Sequence, residues 1–166
     1  MDGLGLAHTL LACTALVLGG AVVLRRKGDR FHRTLGHLYV SSMLGVNVTA
    51  LAIYDLYGRF GPFHGAALLS LATLLAGLLP VLLRRPRANW FELHATFMSW
   101  SYVGLLSAAT AEAAVRLPAA PFWPAVIGAT SLVTLTGALL IHGRGGVRIV
   151  RALRRAGVAA AAAVLV

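Results

Sequence analysis

One cysteine, five acidic residues and a charged fraction of 12% are what this 166-residue sequence has least of. A single thiol, Cys13, excludes an intrachain disulfide and a CxxC metal site, and it leaves the redox compartment unreadable. GxSxG, P-loop, HExxH and GxGxxG signatures are absent and no nucleophile has an obvious base, so hydrolysis and nucleotide chemistry have no support. Without HxxxH or CxxC spacing, a structural zinc site has none either. What remains is apolar: 58% of residues are hydrophobic, against about 45–50% in a soluble domain. The net charge of +10 would suit nucleic acid, but the basic residues sit in three short blocks between apolar runs. That pattern speaks of membrane topology.

The composition predicts an all-α integral membrane protein. A crossing helix needs about 20 mostly apolar residues, and five runs qualify: 4–24, 34–56, 63–83, 93–115 and 122–141. They must be helical, because lipid offers no water to an open backbone. Thirteen of the fifteen Lys and Arg residues follow the first, third and fifth runs, and only Arg59 and Arg116 lie on the other side. The positive-inside rule therefore places the N-terminus outside and the C-terminus in the cytoplasm, a multi-pass arrangement in the cytoplasmic (inner) membrane. The first run lacks a basic segment before it, so it reads as a span and not as a cleaved signal peptide.

Two units follow: a five-span membrane domain over 1–145 and a basic tail over 146–166. In the tail Val147, Val150 and Leu153 form a stripe with Arg148, Arg151, Arg154 and Arg155 largely off it. Such a segment suits anionic lipid at the cytoplasmic face, or serves only as a basic stop to translocation.

The first two spans and the next two read as one hairpin written twice. Each copy runs histidine, apolar stretch, Leu-Arg-Arg, short basic loop, aromatic, histidine, apolar stretch: His8, Leu24-Arg25-Arg26, Phe31 and His32, then His64, Leu83-Arg84-Arg85, Phe91 and His94. If the four spans form an antiparallel bundle, with the fifth at its side, His8 meets the level of His64 near the outer surface. His94 then meets the level of His32 or His37 near the inner surface. Neutral imidazole offers a lone pair to iron without a charge that lipid would penalise, so two haem b groups, or one, fit the pattern. Helix spacing turns His32 and His37 about 140° apart, so only one can face a given iron. Depth along the span favours His37 as the better buried. Arg33 and Arg87 are the candidates to neutralise propionates. A mixed site of Asp29, His32, Glu92 and His94 is a further candidate, while Asp55 and Glu112 read as boundary carboxylates paired with Arg59 or Arg116.

The ligand order resembles that of the ascorbate-reducible di-haem b-type cytochromes, whose core helices pair first with third and second with fourth. A wider resemblance covers most of the chain. KGDRFHRTLGHLYV and HATFMSWSYVGL are similar to the two motifs, HRxxGxxYV and HxxxMxxSY, of the bacterial membrane-protein family known as domain of unknown function 2306. They map to His32, Arg33, Gly36, Tyr39 and Val40, and to His94, Met98, Ser101 and Tyr102. Trp100 stands where the second motif more usually has arginine. The resemblance implies a membrane fold, marks His32 over His37, and names no reaction.

The functional expectation is a small membrane b-type cytochrome carrying electrons through bis-histidine haem, with His8, His64, His32 (or His37) and His94 as iron ligands. Whether it is an enzyme is left open. From another class comes a non-catalytic accessory subunit packed against a larger membrane complex, and a small-molecule or metal carrier is a third. The lipid bilayer is the expected partner in each, and nucleic acid in none.

Overall fold

The computed structural model describes residues 3–54, 58–118 and 121–143. Within them the chain is helical: α1 (Gly3–Leu24), α2 (Arg30–Ala52), α3 (Pro62–Leu83), α4 (Trp90–Ala114) and α5 (Phe122–His142). The amphipathic tail expected over 146–166 lies outside the described residues, as do Asp55 and Tyr57. At 1.5 Å per residue a 22-residue helix such as α1 is about 33 Å long, enough for a hydrocarbon core of about 30 Å. By length and apolarity α1, α2, α3 and α5 can each cross a membrane. The fourth expected span has the length, at 25 residues, but Glu92, His94, Ser99, Ser101, Ser107 and Glu112 interrupt its apolar run, and it is not among the four.

Local chemistry sets the helix ends. The Asp29 carboxylate accepts the His32 amide at 2.6 Å and starts α2. Lys27 closes α1 by donating its Nζ to the carbonyls of Val22 (2.6 Å) and Val23 (2.8 Å). Pro62 fills the first position of α3, where an amide would have no partner anyway. At both basic turns an arginine caps an aromatic face: Arg25 lies 4.5 Å from the Phe31 centroid, and Arg84 lies 5.0 Å from that of Trp90.

Helix α1 packs along α2, α3 along α4, and α5 along α4, with α2–α3 and α1–α4 contacts joining the two hairpins. Helix α4 thus has the most neighbours. The core is small: Ala15, Tyr39, Val40, Met43, Leu74 and Leu105, with Leu16, Leu18, Leu78, Met98 and Tyr102 against it. Outside it the surface is greasy. Leu69, Leu132, Leu135, Leu139 and Leu140 are all at least 65% exposed, and α5 buries only Gly137. Exposed apolar helix faces this continuous need lipid, since water would penalise them and drive aggregation.

Candidate functional site: His32 and His94 on facing helices

Two histidines of the paired motifs sit near the starts of α2 and α4. Tyr39 lies seven residues after His32, and Ser101 lies seven after His94. Seven residues are almost two full turns, so each pair shares a helix face to within about 20° and is separated by about 10 Å along the axis. The Tyr39 and Ser101 hydroxyls hydrogen-bond at 3.0 Å across the buried α2–α4 contact. The faces that carry Tyr39 and Ser101 toward each other therefore carry His32 and His94 the same way.

The second motif accounts for its own residues one by one. Tyr102 donates to the Leu16 carbonyl at 3.2 Å and lies over Gly19, where an added Cβ would come within 2.6 Å of its ring. Met98 lies against Gly77, where a Cβ would meet its sulfur at 2.8 Å. His94 Nδ1 donates to the Gly77 carbonyl at 2.8 Å. A carbonyl only accepts, so the proton is on Nδ1 and the lone pair on Nε2, the tautomer that ligates metals. Pro80, three residues on, has no amide to offer the Ala76 carbonyl, which loosens that turn of α3. With no side chain on Gly77, its carbonyl is open to α4.

The other histidines differ. His32 is half-buried, and its Nδ1 is fully buried with no hydrogen-bond partner among the described residues. His37, expected from depth to be the better buried, is exposed: the 140° turn that separates it from His32 carries it outward. His8 Nδ1 lies 2.8 Å from the Thr49 hydroxyl, which spends its own proton on the Gly45 carbonyl at 2.8 Å, so His8 is the donor. His64 is 4% exposed and packs between Tyr54 and Phe60, with ring centroids 4.5 and 5.0 Å away. Its Nδ1 accepts the Gly61 amide at 3.1 Å, which leaves the proton of the neutral ring on Nε2. His8 and His64 thus have separate partners. His142 is exposed, 5.8 Å from the Trp100 ring.

Neither site of three or more metal-ligating side chains nor the mixed Asp29–His32–Glu92–His94 cluster assembles among the described residues. Asp29 is engaged as the α2 cap, and Glu112 pairs with Arg116 at 2.5 Å, the boundary ion pair expected of it.

Helices of this length with an apolar exterior define an integral membrane protein. More particularly, the chain belongs to the family described as predicted membrane protein, domain of unknown function 2306, whose model matches residues 5–143. No curated protein and no solved structure matches it. Sequence reasoning singled out His94 and did not foresee the Gly77 carbonyl as its partner. The Gly77 and Pro80 spacing in an otherwise smooth apolar run was the available signal.

Proposed function

We propose that the chain is a small b-type cytochrome of the bacterial cytoplasmic membrane in which His32 and His94 supply the imidazoles for one haem b. The observation that carries this reading is the matched register of the two motifs, which aims both histidines across one helix contact, together with the lone pair that Gly77 fixes on His94 Nε2. The donor set fits: neutral imidazoles in a half-buried setting hold iron without importing charge into lipid. The outer pair does not fit, because His64 in its present bonding has a proton, and not a lone pair, on Nε2. One haem is therefore proposed, not two. When bound, it supplies a one-electron couple tuned by its axial ligands and their hydrogen bonds.

The chain's own residues do the rest. Gly77 orients His94, the Tyr39–Ser101 bond holds the two helices at fixed spacing, and the lipid-facing leucines keep water from the interior. Arg33 and Arg87 are exposed at the same end and suit anionic propionates. The polar α4 completes five crossings because α1, α3 and α5 cover it. The arginine-rich end faces the cytoplasm and anionic lipid, which places the paired histidines on that side.

The test is an optical spectrum of the purified full chain, oxidised and then reduced with dithionite, with iron analysis. A Soret shift on reduction and one iron per chain are expected. A colourless, iron-free chain would overturn the reading, and its stoichiometric recovery with a larger assembly would replace it with an accessory subunit.

A further inference from the structure

The two imidazoles of the proposed site are not equivalent in their surroundings. His94 has its Nδ1 proton anchored on the Gly77 carbonyl at 2.8 Å. His32 has its Nδ1 buried with no acceptor among the described residues. To ligate through Nε2, a neutral imidazole must carry its proton on Nδ1. For His94 that proton is already satisfied. For His32 it would be a buried donor without a partner, while the opposite tautomer has no lone pair on Nε2.

We infer that His94 is the fixed ligand and His32 the exchangeable one, so that the site admits a small neutral donor, such as imidazole or carbon monoxide, in the place of His32. This rests on the cytochrome reading above and extends it from electron carriage to ligand binding. An anchored Nδ1–H also makes His94 the more basic donor, which widens the difference. Leaving a buried donor unpaired weakens the His32 bond by about ten- to a hundredfold relative to that of His94. Among the described residues the Gly77 carbonyl of α3 accepts from His94, and no carbonyl of α1 does the same for His32 Nδ1.

The experiment uses the full chain loaded with haem, reduced with dithionite and titrated with carbon monoxide, beside His32→Ala and His94→Ala. Carbon monoxide is expected to bind the unmodified chain and to give the same spectrum in H32A. H94A is expected to lose haem affinity about ten- to a hundredfold more than H32A does. Equal losses, or a chain that refuses carbon monoxide while H32A accepts it readily, would overturn the inference. Nitrogen-15 spectra of the histidines in the haem-free chain decide the same point without relying on either variant to fold. One His94 tautomer with its proton on Nδ1, beside a mixed His32, is expected, whereas a mixed His94 or a fixed His32 would refute it. A preparation with no Soret band contradicts the cytochrome reading itself, and the nitrogen spectra still report whether the imidazoles are unequal.

Discussion

The α1–α2 and α3–α4 hairpins share their basic turns and differ almost everywhere else. In each, an arginine six residues ahead of an aromatic ring sits over its face, Arg25 on Phe31 and Arg84 on Trp90. Each return helix carries a histidine seven residues before a hydroxyl, and those two hydroxyls meet. Yet His94 has a backbone acceptor on the preceding helix, the Gly77 carbonyl, and His32 Nδ1 has none among the described residues; the corresponding opening in α1, at Gly19, is filled by Tyr102 and Tyr39. At the far end the likeness is gone: His8 donates to a threonine, whereas His64 accepts from a backbone amide between two aromatic rings. The repeated turns fix where the helices start, and side chains one or two turns further on decide what the histidines can do.

Substitutions at matched positions test how deep this difference goes. Fifty-nine residues separate Arg25 from Arg84 and equally separate Ala15 from Leu74, both fully buried. Leu74→Ala should give the largest loss, about 2–5 kcal/mol, since it empties the centre of the core on the α3 side and the Ala15 side has no bulk to fill it. Unfolding of the detergent-solubilised chain in increasing denaturant measures it.

The glycines come next and should differ in sign. Gly77→Ala drives a Cβ to within 2.8 Å of the Met98 sulfur and should cost about 1–3 kcal/mol. Gly36 in the first motif has nothing within 4 Å of an added Cβ, so Gly36→Ala should stabilise the chain by up to about 1 kcal/mol through helix propensity. Equal effects at the two sites would mean that α4 does not approach α3 as closely as described. Tyr39→Phe removes only the bond to Ser101 and should cost about 0.6–1 kcal/mol. The combination with Ser101→Ala should then be sub-additive.

The arginine caps carry the smallest effect. Arg25→Ala and Arg84→Ala should each cost about 0.5–1 kcal/mol and match one another. A clear inequality, read by the same unfolding measurement, would show the repeat to be a likeness of sequence only.

The crossing helices were legible in the sequence because apolar length and basic blocks are local properties. Helices α1, α3 and α5 agree with the expected runs to within a residue or two, and α2 starts four residues earlier because Asp29 caps it. The face of a helix was harder to read. Depth suggested that His37 was buried, but exposure depends on which face of α2 meets its neighbours, and that face carries Tyr39 toward Ser101 and turns His37 outward. Histidine level along the repeat suggested a His8–His64 pair, and level carries no information about ring orientation or about which nitrogen holds the proton. The Gly77 carbonyl was invisible for a related reason: a backbone acceptor has no side chain to announce it.

The proposed pairing of His32 with His94 about one haem is tested most directly by comparing Soret spectra of the intact chain with those of His8→Ala, His64→Ala, His32→Ala and His94→Ala, each purified and reduced in the same way. An unchanged band in the first two variants, an altered but retained band in H32A, and a largely lost band in H94A are expected. A band that survives both inner substitutions, or that vanishes with His8 or His64, would contradict the assignment.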